Sequence, residues 1–189
     1  MDQEAVLDLY RTSGALLEGH FKLSSGLHSN RYLQSALVLQ FPGHATALGE
    51  ALAARNAHLR PTAVLSPALG GIVIGQEVGR GLGVRALFAE RVDGTLTLRR
   101  GFALNHAERV LIVEDVITTG GSTLETARAA EAAGAHVVGA AAIIDRGADA
   151  VKLGLPLQAL VKLDVQSWPP DQCPLCAKGD PVTKPGSRA

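Results

Sequence analysis

Two adjacent acids, Glu114 and Asp115, follow four apolar residues, Val110 to Val113, and stand just ahead of Thr118-Thr119-Gly120-Gly121-Ser122. The apolar run reads as a buried strand, and the hydroxyl- and glycine-rich run as a loop that opens a helix. Ser122 and Glu125 have the S-x-x-E spacing of a capping box, which predicts a helix from Ser122 to Ala133. The first turn of a helix leaves backbone N–H groups unpaired and carries partial positive charge, so such a loop suits an anion. No lysine lies within it and no G-x-x-x-x-G-K-[ST] occurs, which excludes a P-loop; no G-x-G-x-x-G follows a strand either. The pattern describes a cup for one phosphate with two acids beside it. Acids repel phosphate but suit vicinal hydroxyls, directly or through Mg²⁺, so the ligand it describes is a ribose 5-phosphate.

A scaffold must hold that loop, and the rest of the chain supplies the pattern of one. Helical spacing covers Asp2 to Leu17, with Gly19 as a stop. His20 to Leu23 reads as extended, Ser24-Ser25-Gly26 as a turn and Arg31 to Leu39 as a second strand. Pro42 opens a helix that runs to about His58. Strands are predicted at Thr62–Ser66, Val84–Ala89, Arg109–Val113, His136–Ile144 and Leu157–Leu163, and a helix at Ile72–Leu82. Asp93-Gly94 predicts a tight turn within a hairpin arm. Short apolar runs alternating with helices specify an α/β fold with a mainly parallel sheet covered on both faces. Beyond Asp164 the chain turns to Pro, Gly, Lys and Ser and reads as an irregular tail over 166–189.

Composition agrees with one folded domain. Of 189 residues 47% are apolar and 19% charged, enough for a core and too few charges for disorder. Eighteen basic residues balance eighteen acidic ones, so no general field draws nucleic acid or a membrane surface. No run approaches the ~20 apolar residues of a membrane span, and the acidic start lacks the features of a signal peptide. The expected location is the cytoplasm.

The run from Arg109 to Glu125 resembles the PRPP-binding signature of type I phosphoribosyltransferases (PRPP is 5-phosphoribosyl 1-diphosphate). Phe21-Lys22-Leu23-Ser24-Ser25-Gly26-Leu27-His28-Ser29-Asn30-Arg31-Tyr32 is similar to a segment of the orotate phosphoribosyltransferases. So is Ile143-Ile144-Asp145-Arg146-Gly147. The likeness spans about residues 15–165, closest to a compact bacterial branch found in thermophiles. It implies a central parallel sheet flanked by helices, a small hood within about residues 1–40 and a mobile arm, together forming one unit over 1–165. It further implies transfer of the phosphoribosyl group from PRPP to orotate with Mg²⁺, by a homodimer.

By the same resemblance, Glu114 and Asp115 meet the ribose, and Val116, Ile117, Thr118, Thr119, Gly120, Gly121 and Ser122 wrap the 5-phosphate. Ala68, Leu69 and Gly70 line the pyrophosphate, which Arg91 also reaches, while Arg99 and Arg100 stand on the arm where relatives carry other cations. Thr118, Ser25, Gly26 and Arg146 attend the orotate, Arg146 facing its carboxylate, as a planar guanidinium suits. A purine-base phosphoribosyltransferase and a PRPP-sensing regulator are the alternatives; the orotate-like pattern before residue 40 and the neutral charge weigh against them.

Outside that pattern, Cys173-Pro174-Leu175-Cys176 offers two of the four ligands a zinc site needs. The six histidines, among them His20 and His28, show no metal-binding spacing, so no metal site is expected within one chain, although two copies meeting in a dimer would supply four cysteines. The cysteines read as part of a solvated tail or as a local disulfide.

Overall fold

The computed structural model describes residues 1–23, 25–147 and 153–185. Ser24 of the expected turn and positions 186–189 of the expected tail lie outside the described residues. Among the described residues no helix is long and apolar enough to cross a membrane.

The chain begins with α1 (Gln3–Thr12), capped by the Asp2 carboxylate, which accepts a 2.9 Å bond from Ala5 N–H. The predicted helix to Leu17 stops sooner. Gly14 turns the chain at φ +70°, and Leu16 and Leu17 belong to β1 (Leu16–Lys22). Likewise the predicted strand Arg31–Leu39 divides into β2 (His28–Leu33) and the short helix α2 (Ser35–Leu39), whose Val38 and Leu39 are buried. In both places a short apolar run fitted either period, and tertiary packing decided. Next come α3 (Pro42–Asn56), β3 (Ala63–Pro67), α4 (Gly71–Leu82), β4 (Arg85–Val92) and β5 (Thr95–Leu98). Then β6 (Arg109–Ile117), α5 (Gly121–Ala132), β7 (His136–Asp145) and β8 (Leu157–Lys162) complete the main body.

Six strands form the main sheet in the order β5-β4-β3-β6-β7-β8; every pair is parallel except β4–β5. Alternation along β6 divides the core between the two faces. Leu111 and Val113 pack with α3 and α4 residues such as Leu48, Leu52 and Ile74, while Val110 and Ile112 pack with Ala127 and Ala130 of α5. The expected α/β architecture is therefore present, covered on both faces.

The hairpin turns at Asp93 (φ +47°) and Gly94 (φ +84°), the positive pair that a type I′ turn requires. This arm is docked rather than detached: β5 forms the sheet edge, and its Leu96 is buried in the α5 side of the core.

A second sheet, β1-β2-β9, stands over the C-terminal end of the main one and includes β9 (Ser167–Trp168) from the segment expected to be irregular. Over its described residues that segment is folded. After β9 it forms a helical turn at Pro174–Ala177, and Thr183 then exchanges backbone bonds with β1, receiving Lys22 N–H at 2.8 Å and donating to His20 C=O at 2.9 Å. Proline-rich composition concealed pairing that depends on backbone groups from the opposite end of the chain.

Candidate active site

Strand order reverses between β3 and β6: the chain runs from β3 outward to β4, but β6 and β7 lie on the other side. Loops leaving the carboxyl ends of two such strands diverge and open a crevice. Here they are the loop at Pro67–Gly71 and the loop at Thr118–Gly121.

Glu114 and Asp115 follow the apolar run of β6 but differ in setting. Glu114 is buried, and both its oxygens accept hydroxyl donors, Ser122 Oγ at 2.7 Å and Thr123 Oγ1. This corrects the capping box: Ser122 bonds to Glu114, α5 starts at Gly121 behind a left-handed Gly120 (φ +79°), and no side chain caps it. Glu125 instead pairs with Arg91. Glu114 is thus more enclosed than two open acids would suggest. Each of its oxygens keeps a further lone pair, which a hydroxyl ligand could share.

Asp115 is half-buried beside the other loop. A Cβ on Gly70 would lie 2.7 Å from Asp115 Oδ1, so only glycine lets the backbone come this close. Asp115, Leu69 and Gly70 share a cavity of about 310 Å³ with Gln34 and Gln40. Burial pushes the carboxyls of both acids above the usual range, opposed at Glu114 by the Thr123 and Ser122 hydroxyls and at Asp115 by the Ser35 hydroxyl. Ser35 is in turn bonded to the buried Tyr10 hydroxyl at 2.9 Å. Because an ionised carboxylate only accepts, Ser35 donates to Asp115 and Tyr10 to Ser35. Sequence reasoning missed this support; no local spacing links residues 10, 35 and 115.

The loop before α5 exposes Thr118 and Thr119 but buries Gly120. Val116 and Ile117 remain in the strand, paired with Ile144 and Asp145, and Ile117 is buried, so their side chains do not reach the crevice. The Ala68 N–H donates to Ala89 C=O at 2.8 Å; among the described residues the Leu69 and Gly70 amides have no backbone acceptor.

On the other side of β6 lies a cavity of about 660 Å³. Thr118, Thr119 and Arg146 form its floor; Ser25, Tyr32 and Ser167 are among the hood residues that close it. Arg146 donates its backbone N–H to Ile117 C=O at 2.8 Å, which fixes the strand end beside the loop. Its guanidinium is half-buried, its Nε has no acceptor, and it forms no ion pair among the described residues. Burial lowers its pKa. Gly26 shapes the turn at φ +85° but does not line this cavity.

The arm's arginines stand elsewhere. Arg91 is held by Glu125 at 2.7 Å and by the Gly94 carbonyl, and Arg100 grips Glu90 through two bonds of 2.8 and 2.7 Å. Neither lines the two cavities at β6. Arg99 is exposed and forms no ion pair among the described residues.

The family model described as the phosphoribosyl transferase domain matches residues 38–156, from α2 to just before β8. Over the full length of both chains, the sequence is 52% identical to orotate phosphoribosyltransferase of Heliobacterium modesticaldum. The chain belongs to the orotate phosphoribosyltransferase family. Solved structures of the family agree in fold. That of the Aeropyrum pernix member superimposes with a TM-score of 0.71 at 25% identity, covering 84% of this chain and 93% of that one. The Mycobacterium tuberculosis member, solved in complex with PRPP, gives 0.68 at 22% identity over 84% and 96%.

Proposed function

We propose that this chain transfers the 5-phosphoribosyl group from PRPP to N1 of orotate, giving orotidine 5′-monophosphate and pyrophosphate. One observation carries the reading: a half-buried guanidinium with no acid partner among the described residues, Arg146, shares a cavity with the exposed hydroxyls of the phosphate-type loop. A planar base with a carboxylate fits a site that joins those two features, and the family's named activity supports it.

In this reading the 5-phosphate sits on the amides from Thr119 to Ser122 and the Thr118 and Thr119 hydroxyls, at the start of α5. Asp115, oriented by Ser35, receives the ribose hydroxyls, while Glu114 braces the loop from behind and shares a lone pair with the sugar. The Leu69 and Gly70 amides meet the pyrophosphate. Arg146 takes the orotate carboxylate and sets N1 against C1 of the sugar. Displacement at a sugar carbon passes through a cationic, oxocarbenium-like state, so one buried and one half-buried acid beneath the ring stabilise the developing charge. Positioning and exclusion of water by the hood do the remainder.

Mg²⁺ fits the residues present. It takes few carboxylates and several substrate oxygens, and Asp115 offers a carboxylate edge beside the pyrophosphate loop. When bound, the ion neutralises charge on the leaving pyrophosphate.

Pyrophosphate release tests the assignment. The protein with PRPP and Mg²⁺ should release it with orotate, and not with uracil, adenine, hypoxanthine or xanthine. Release with a purine would move the chain to another substrate class, and no release with any base would favour a PRPP-sensing role.

A further inference from the structure

Four side chains outside the crevice converge in the hood: His20 from β1, His28 from β2, and Cys173 and Cys176 from the C-terminal segment. Their ligand atoms all lie within 4.8 Å of one another. His20 Nε2 is 2.8 Å from His28 Nδ1, 3.5 Å from Cys173 Sγ and 3.7 Å from Cys176 Sγ; Cys176 Sγ is 3.2 Å from His28 Nδ1. Tetrahedral zinc, with its usual bond lengths, requires edges of about 3.3 Å between nitrogens and ~3.5 Å between nitrogen and sulfur. The observed edges scatter around those values.

We infer that these four residues form a structural zinc site that ties the C-terminal segment to the hood. Three observations besides distance support it. The site is enclosed, with His20, His28 and Cys173 all buried. His20 Nδ1 is 2.9 Å from the Asp180 carbonyl; an N–H there leaves Nε2 unprotonated toward the cluster, the outer contact that metal-bound histidines characteristically make. The C-x-x-C turn is also shaped to present two sulfurs together. Ala177 N–H bonds Cys173 C=O at 3.1 Å and Gly179 N–H bonds Cys176 C=O at 2.9 Å.

Thiols are weak hydrogen-bonding groups, so as a polar network this cluster would hold little; as a ligand set it is complete. Binding releases one proton from each thiol, and two thiolates neutralise the ion, which suits an enclosed place. Soft and borderline donors in an S₂N₂ set favour zinc over Mg²⁺ or Ca²⁺. The expectation of no metal site within one chain is thereby replaced. Both cysteines of the chain are used, and the missing ligands come from strands about 150 residues earlier.

The test is direct. Full-length protein is produced with zinc in the medium, purified without a metal-affinity step, dialysed against EDTA at low concentration, and its zinc measured by mass spectrometry. One zinc per chain is expected, with both thiols unavailable to a thiol reagent until the metal is removed. Cys176→Ser, at an exposed position, should keep under roughly a tenth of the zinc, whereas His106→Ala should keep all of it. Cobalt added to the stripped wild type should give a tetrahedral thiolate spectrum that Cys176→Ser lacks. Metal-free wild type that takes up neither zinc nor cobalt, a Cys173–Cys176 disulfide in its place, or unchanged zinc in Cys176→Ser would overturn the inference.

Discussion

Arg146 holds its charge half-buried and without an acid partner among the described residues, an arrangement that costs stability until an anion arrives. Arg146→Ala should therefore leave PRPP binding intact and lower kcat/KM for orotate by roughly 10²-fold, the worth of a charge-assisted pair. Equal losses of PRPP affinity and orotate use, measured by calorimetry and steady-state kinetics, would remove it from the base site. Asp115 presents the opposite balance. Because burial raises its pKa, its charge near neutrality opposes folding. Asp115→Asn should raise the melting temperature by about 2–4 °C, equivalent to roughly 1 kcal/mol at this length, while turnover falls at least about a hundredfold. A lower melting temperature would contradict the burial argument. The twin acids and the loop were legible because one strand–loop–helix carries them in fixed spacing. Ser35, Tyr10, His20 and His28 were not, since their partners lie across the fold rather than along the chain.

Among the elements, the β4–β5 arm was readable from Asp93-Gly94 alone, but what its arginines do was not. Glu125 and Glu90 engage Arg91 and Arg100, which leaves Arg99 as the arm's cation without an ion pair among the described residues. Arg99→Ala should cut kcat by roughly tenfold or more with an unchanged melting temperature, and Arg100→Ala should do less. A larger loss at Arg100 would mean that its bond to Glu90 opens during turnover. The hood makes a second point. The turn between β1 and β2 brings Leu23, Ser25 and Leu27 to the cavity at Arg146, and β9 brings Ser167. Zinc clamps that hairpin and the segment after β9 together. Removing zinc should accordingly raise the KM for orotate several-fold while PRPP affinity stays within about twofold; an unchanged KM would confine the metal to a role in stability.

For the molecule as a whole, both acids at the end of β6 titrate above their ordinary values, so the folded chain binds more protons than the unfolded one between those values and the raised ones. Stability without ligand should fall as pH rises through that window and level off above it. Glu90 acts the other way: Arg100 depresses its pKa, and the support it gives is lost as pH falls through its lowered value. Urea midpoints from about pH 4 to 8 should show the acids' decline, and Asp115→Asn should flatten it. An equal slope in that variant would assign the decline to other groups. The main sheet was legible because parallel strands buried on both faces leave continuous apolar runs. The hood was not, because β1 and β2 interleave polar and apolar residues without a continuous apolar run and β9, two residues long, comes from a proline-rich segment.

That last strand imposes an order on synthesis. By the time β8 has left the ribosome, the sheet and its phosphate loop can be in place, yet β1 and β2 still lack the partner that residues 167–183 provide. A nascent chain at that stage has the crevice between the β3 and β6 loops but an incomplete hood sheet, and β1 and β2 gain their remaining backbone partners only once residues 167–183 have been translated.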